Sequence, residues 1–235
     1  MNNIKDIAIL LPVLNEKENL KNFEKMFLKN DYYSKFEYLF VDDGSNDGSR
    51  DIIIELSNKY SNLNYLFRKN DKDISRSVIE GSKLIRSKNI LLMDADFQHD
   101  LSNINKIVSE FNKKEFDVII GSRFMENAGN YRNFYNFSRL CLSKIFIFLS
   151  KIAINHNLTD PLSGFGILKK SVINYNGLYA NGWKILFDII LSNKNIKYKE
   201  IGIIINPRIS GKSKIRLKVV KNFISLIFFH KKNAK

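Results

Sequence analysis

A chain of 235 residues that is 44% hydrophobic can bury a full core as one domain, or as one domain with an appendage. Its one cysteine, Cys141, excludes an intrachain disulfide and suits a reducing compartment. The formal charge of +14 is uneven: residues 1–126 carry 19 basic and 21 acidic side chains, while residues 127–235 carry 19 basic and three acidic ones, Asp160, Asp188 and Glu200.

The second half should therefore present a cationic surface suited to phosphates, whether on nucleic acid, a lipid bilayer or a substrate. A Lys/Asn/Ile-rich compositional bias would decorate surfaces with lysine too, but it accounts poorly for the missing acids.

The N-terminus runs from MNNIKD into an apolar strand with no secretory pattern. IAILLPV (7–13), YLFVD (38–42), NYLF (64–67), ILLMD (90–94) and VIIG (118–121) are short apolar runs, as expected of strands covered on both faces. Between them, residues 16–28, 47–60, 74–87 and 102–113 have helical spacing and acidic or hydroxyl starts. This β-α alternation predicts an α/β fold with a mostly parallel, doubly wound sheet, which binds ligands beyond the carboxyl ends of its strands.

Acidic clusters fall at those ends. Asn15 and Glu16 follow the first strand, Asp42 and Asp43 the second, and Asp94, Ala95 and Asp96 the fourth. Carboxylates gathered on one rim repel unless a cation or hydrogen-bond donors sit among them. Asp94, Asp96 and Gln98 carry oxygen at alternate positions, which predicts Mg²⁺ or Mn²⁺ held together with water and a diphosphate.

Other chemistries are excluded. PVLNEKEN after the first strand has no glycine, so a dinucleotide fingerprint is missing. Gly211-Lys212-Ser213 looks like the end of a phosphate loop, but Asn206 stands where that motif needs glycine. A phosphoacceptor signalling domain would be shorter and would not need the basic half.

ILLPVLNEKENL, FVDDGSNDGS, LLMDADFQHD, VIIGSRF, TDPLSGFGILKK and PRISGKSK, in this order, resemble the inverting family 2 glycosyltransferases. The resemblance runs from about Ile7 to Ile215 and is strongest to the polyprenyl-phosphate glycosyltransferases typified by dolichyl-phosphate mannose synthase. It implies the GT-A fold and an enzyme. Pro12, Asn15, Glu16, Asp42, Asp43, Asp94, Ala95 and Asp96 would line the nucleotide-sugar pocket, and Asp94, Asp96 and Gln98 the metal site. The plainer readings are that Asp42 or Asp43 caps the helix starting near Asp47, and that Gln98 and His99 are surface turn residues.

By the same resemblance Arg123 sits near the reacting phosphates. Arg132, Ser138, Arg139, Arg208, Ser213 and Lys214 supply cations and hydroxyls suited to an anionic acceptor. A lipid phosphate is already ionised near neutral pH, so it needs positioning rather than a base. Asp160 is the remaining carboxylate, read either as a catalytic group or as one that orients the loop or an arginine.

Residues 133–154 and 217–232 read as helices that could lie at a bilayer surface, the latter with Leu217, Val220, Ile224 and Phe228 on one face. Packing on the core is the ordinary alternative. Neither reads as a transmembrane span. The chain as given reaches Lys235 without the two C-terminal transmembrane helices of many bacterial relatives, so surface helices or a membrane partner protein are expected to bring it to lipid. It also departs from the family pattern at Phe134, at 70–77 (NDKDISRS) and at Asp100-Leu101.

The reading is therefore a transferase domain over 1–214, with a donor half to about 126 and a basic acceptor half beyond it. An amphipathic helix over 215–235 follows. The expected reaction is metal-dependent, inverting transfer of a hexose from a GDP-mannose or UDP-glucose type donor to a polyprenyl phosphate. Its place would be the cytoplasmic membrane face, without nucleic acid. The alternatives are a sugar hydroxyl as acceptor, which would require a base, and a non-catalytic basic binding module.

Overall fold

The computed structural model describes residues 6–31, 33–69, 72–99, 101–125, 128, 137–153, 156–206 and 217–233, with side chains from 143 to 151 and from 220 onward in the helices that contain them. Seven strands form one sheet: β1 Ile7–Val13, β2 Glu37–Asp42, β3 Leu63–Phe67, β4 Asn89–Leu92, β5 Val118–Ser122, β6 Gly166–Lys169 and β7 Tyr198–Gly202. Their order is β3-β2-β1-β4-β6-β5-β7. β1 to β4 are parallel, β5 and β7 are parallel, and β6 alone runs antiparallel to its neighbours β4 and β5.

The helices are α1 Lys17–Leu20, α2 Ser49–Lys59, α3 Ile74–Leu84, α4 Leu101–Phe111, α5 Phe137–Ala153, α6 Ile185–Leu191 and α7 Leu217–Asn233. Successive residues of a strand face opposite ways, and β1 shows it. Ile7, Ile9, Leu11 and Val13 join Ile53 and Leu56 of α2 and Ile104, Ile107 and Val108 of α4 in one core layer. Ala8 and Leu10 join Val78 of α3, Phe187 of α6, Phe146 of α5 and Phe223 of α7 in the other.

Residues 16–28, expected as one helix, instead form α1 and, after a break, a π-helical turn over Glu24–Leu28. Tertiary packing overrides helical propensity here. Phe23 and Phe27 stack at 4.9 Å, and Phe23 also meets Tyr38, Phe40 and Phe97 at 4.8–5.8 Å.

The last helix also corrects its expectation. α7 buries Phe223, Leu226, Ile227 and His230 against the core, and His230 Nε2 lies 2.6 Å from Asp188 Oδ1. Of the expected apolar face, Ile224 and Phe228 point outward, 40% and 65% exposed, whereas Val220 packs against the core. α5 likewise leaves Ile145, Phe148 and Leu149 exposed while Phe146 packs edge-on against Phe223. Among the described residues, no helix is long and apolar enough to cross a membrane.

Candidate active site

The topology gathers the site. β1, β2, β4 and β5 end on one rim because they are parallel. Since β6 is reversed, it begins there: Gly166 pairs with Leu92 of β4 and Ile120 of β5. A side chain at Gly166 would stand 2.8 Å from the Ile119 carbonyl, so only glycine lets the three strands close up. The loop leading into β6, residues 159–165, is thereby laid across the ends of β4 and β5.

Beyond β4 the chain turns through Asp94 to His99. Phe97 takes a left-handed φ of 50°, which costs a bulky residue free energy. Its buried ring, packed 5.5 Å from Phe27, offsets that cost and fixes the turn. Asp96 is buried, and its Oδ1 accepts from the Gln98 backbone N–H at 3.2 Å. Gln98 is itself tied to Asn206, whose N–H donates to the Gln98 carbonyl at 2.7 Å and whose carbonyl accepts from Gln98 Nε2 at 3.1 Å.

His99 is not a surface turn residue. It is buried and stacks on Phe165 at 4.4 Å. Burial pulls its pKa down to about 4, with Asp94 and Asp160 opposing and Arg123 reinforcing the fall. The ring is neutral at physiological pH.

The loop over 159–165 is the hub. Arg123, just past β5, donates from Nε to Asp160 Oδ2 at 2.6 Å, from Nη2 to Oδ1 at 2.7 Å and from its backbone N–H to Oδ2 at 3.1 Å. Glu200 of β7 holds the loop from behind, accepting from the N–H groups of Thr159 at 2.6 Å and Asp160 at 2.8 Å. Burial raises the Glu200 pKa, while those two N–H bonds act the other way. Gly164 lies against Asp94: a Cβ there would meet Asp94 Oδ2 at 3.3 Å. Lys184, which precedes α6, donates from Nζ to the Leu162 carbonyl at 2.5 Å.

On the other side of the rim, Asp42 is fully buried. Its Oδ1 accepts from the N–H groups of Gly44 and Ser45 at 3.1 Å and from Arg50 Nε at 2.5 Å, while Oδ2 has no partner among the described residues. Asp43 is held by the buried guanidinium of Arg68, which also binds Glu80. Burial nonetheless raises the Asp43 pKa, against the pull of Arg68.

Neither aspartate caps α2. Asp47 accepts there from the Ser49 N–H at 2.9 Å. Asn15, with φ of 58°, exchanges bonds with the 45–46 turn: its N–H donates to Ser45 Oγ, and its Oδ1 accepts from the Asn46 N–H. The Glu16 N–H donates to Ser49 Oγ, and Glu16 Oε2 accepts from Asn19 Nδ2. Pro12 sits in β1 beside Val41 of β2. The structure thus brings Pro12, Asn15, Glu16, Asp42 and Asp43 to one side of the rim, and Asp94, Ala95, Asp96, Gln98, Arg123 and Asp160 to its centre.

Arg132, Arg208, Ser213 and Lys214 lie outside the described residues. Ser138 and Arg139 fall in α5, with their side chains outside the description.

The residues fit a hard cation. No described residue donates a hydrogen bond to the Asp94 carboxylate, and Asp94, Asp96 and Gln98 offer oxygen alone. No group of three His, Cys, Asp or Glu ligands exists among the described residues. Such a site would draw its remaining ligands from water and phosphate, as Mg²⁺ and Mn²⁺ sites at diphosphates do.

Sequence reasoning missed Arg68, Lys184 and Glu200. Glu200 carried a signal, being one of three acids in a basic half. Lys184 carried a weaker one, a single charge opening the apolar run KILF.

The family model for glycosyl transferase family 2 matches residues 8–176. The chain belongs to that family. It is 33% identical to the dolichol-phosphate mannosyltransferase of Pyrococcus furiosus over 227 residues, which cover 94% of this chain and 62% of that protein. The corresponding Saccharomyces cerevisiae protein is 25% identical over 93% of this chain and 84% of its own length. The chain thus spans less than two thirds of the archaeal relative.

Among solved structures, glucosyl-3-phosphoglycerate synthase from Mycobacterium tuberculosis in complex with Mn²⁺, UDP-glucose and phosphoglyceric acid superposes with a TM-score of 0.66 at 13% identity. The match covers 94% of this chain and 79% of that one. It establishes the GT-A architecture expected from the sequence.

Proposed function

We propose that this family 2 glycosyltransferase moves a hexose from a nucleotide diphosphate sugar to a polyprenyl phosphate, with inversion at the anomeric carbon. The observation that carries the reading is the meeting, on one loop, of the Asp94 turn and the Arg123–Asp160 pair. An acidic centre suited to a metal-bound diphosphate stands beside a held cation suited to a second phosphate. The likeness to dolichol-phosphate mannosyltransferases supports the choice of acceptor.

In this reading Pro12, Asn15, Glu16, Asp42 and Asp43 bind the nucleoside, with Asp42 Oδ2, which has no partner among the described residues, accepting from base or ribose. Asp94, Asp96 and Gln98 hold the divalent metal, which supplies charge neutralisation to the leaving diphosphate. Arg123 receives the acceptor phosphate, helped by Arg132, Ser138, Arg139, Arg208, Ser213 and Lys214. A phosphate oxygen attacks the anomeric carbon, the bond to the diphosphate breaks, and the electron pair leaves with the nucleoside diphosphate. No proton has to be removed from such a nucleophile.

Asp160, with both oxygens committed to Arg123, acts by positioning the guanidinium rather than as a base, which disfavours a hydroxyl acceptor. GDP-mannose and UDP-glucose types remain the donor classes proposed.

Residues 1–214 would be the transferase domain. The exposed Ile145, Phe148, Leu149, Ile224 and Phe228, on helices with lysines at 144, 151, 221, 231 and 232 and no acid, would rest on the cytoplasmic face of an anionic membrane. The test is whether label moves from a nucleotide sugar into a lipid that partitions into organic solvent.

A further inference from the structure

Among the attachments of the loop over 159–165, three bear on the centre of the site: Asp160 to Arg123, Gly164 against Asp94, and the Leu162 carbonyl to Lys184. The first two belong to the reading above. The third brings in a lysine that it leaves without a task. Lys184 is the residue before α6, its backbone fixed by the Asp188 N–H donating to its carbonyl at 2.9 Å.

An ammonium has three donors, and among the described residues Leu162 is the one hydrogen-bond partner of Lys184. It makes no ion pair among them. A carbonyl does not neutralise a cation, so the half-buried Lys184 has no direct counter-ion among the described residues.

The charges that act on it are Arg123 past β5, Asp160 in the loop and Asp94 past β4. One of these is a second cation. Asp160 already pairs with Arg123, so of the two cations Lys184 is the one without a direct counter-ion among the described residues, and side chains perturbed in this way cluster at functional sites. Burial first, and Arg123 second, bring the lysine's pKa down to about 8, with Asp160 and Asp94 opposing.

We infer that Lys184 is a phosphate-binding residue of the transfer centre, its ammonium pairing with Arg123 around the phosphate oxygens of the donor diphosphate or of the acceptor. This rests on the proposed reading and adds a ligand to it. Lys184, standing before α6, grips by its bond to Leu162 the loop that holds Asp160 and abuts Asp94, and in this inference its other donors face the phosphate.

The test is calorimetric titration of the full chain with two probes, GDP or UDP in the presence of Mn²⁺ and farnesyl phosphate, for the wild type, Lys184→Gln and Lys184→Arg. Glutamine keeps an N–H for the Leu162 carbonyl and discards the charge, whereas arginine keeps the charge. Loss of a charge-assisted bond should weaken one probe roughly 10- to 100-fold in Lys184→Gln and much less in Lys184→Arg. The probe affected identifies which phosphate is bound.

Wild-type affinity for that probe should fall as pH rises through about 8, where the lysine loses its proton. Lys184→Arg should hold its affinity across the same range. A purely structural lysine would leave Lys184→Gln binding both probes as the wild type does, with the same pH dependence, and that result overturns the inference. A wild type that binds neither probe overturns the transferase reading itself.

Discussion

Both oxygens of Asp160 are taken by Arg123, in a two-point pair of 2.6 and 2.7 Å formed under a loop that Glu200 pins from behind. The carboxylate is fully buried and the guanidinium 18% exposed, so the pair delivers a cation, fixed in direction, to the rim where β4 and β5 end. In the proposed reading Asp160 is thereby removed as a base and Arg123 is held for an anion.

Asp160→Asn tests this division of labour. It keeps the loop's shape and releases the arginine, so transfer should fall on the order of 100-fold through misplacement alone. Asp160→Ala should in addition cost about 3 kcal/mol of stability, because it strands a partly buried guanidinium. Steady-state transfer and urea unfolding of the two variants separate the effects.

Gly164→Ala places a methyl group 3.3 and 3.6 Å from the two Asp94 oxygens. The carboxylate must shift, and Mn²⁺ affinity in the presence of a nucleoside diphosphate should drop about tenfold, as it does when residues supporting metal ligands are disturbed. Thermal unfolding should move little. Unchanged Mn²⁺ affinity would show that Asp94 does not hold metal.

His156 gives the fold an acid sensitivity. Its Nδ1 accepts from the Leu158 N–H at 3.2 Å, and burial, followed by Lys151, lowers its pKa to about 4. The unfolded chain protonates it at about 6.5, so the folded state's advantage is present above that pH and is lost as pH falls towards 4. Urea midpoints at pH 7 and pH 5 should differ more for the wild type than for His156→Phe.

The outward faces of α5 and α7 should be measurable against lipid. Replacing Phe148 and Phe228 by Ser removes two rings that are 63% and 65% exposed, so folding stability should hardly change. Sedimentation with anionic vesicles should weaken by roughly tenfold or more, since each ring contributes about 1.5–3 kcal/mol when buried in an apolar phase. Equal sedimentation of both proteins would remove the membrane face.

The parallel half of the sheet was legible because its strands are uninterrupted apolar runs ending in Asp42, Asp94 and Ser122. β6 and β7 were not. GILK and YKEIG are short and mixed, and they are strands through their pairing with β5 rather than through their own pattern. The acidic turn after β4 was visible as a spacing of oxygen-bearing residues. That Phe97 anchors it, that His99 lies buried on Phe165 and that Lys184 reaches the same loop depend on contacts between residues 70 apart in Phe27–Phe97, 66 apart in His99–Phe165 and 22 apart in Lys184–Leu162. The two-sided character of α7 was hidden for another reason: both of its faces are apolar, and periodicity cannot say which one meets the core.

The most direct test of the account is transfer from radiolabelled GDP- and UDP-hexoses to undecaprenyl phosphate in detergent, with Mg²⁺ or Mn²⁺ and with EDTA in parallel. Organic-extractable label that depends on the metal and on one class of donor is the expected result. Label appearing only in free sugar or in a glycan, with none in the lipid phase, would contradict it.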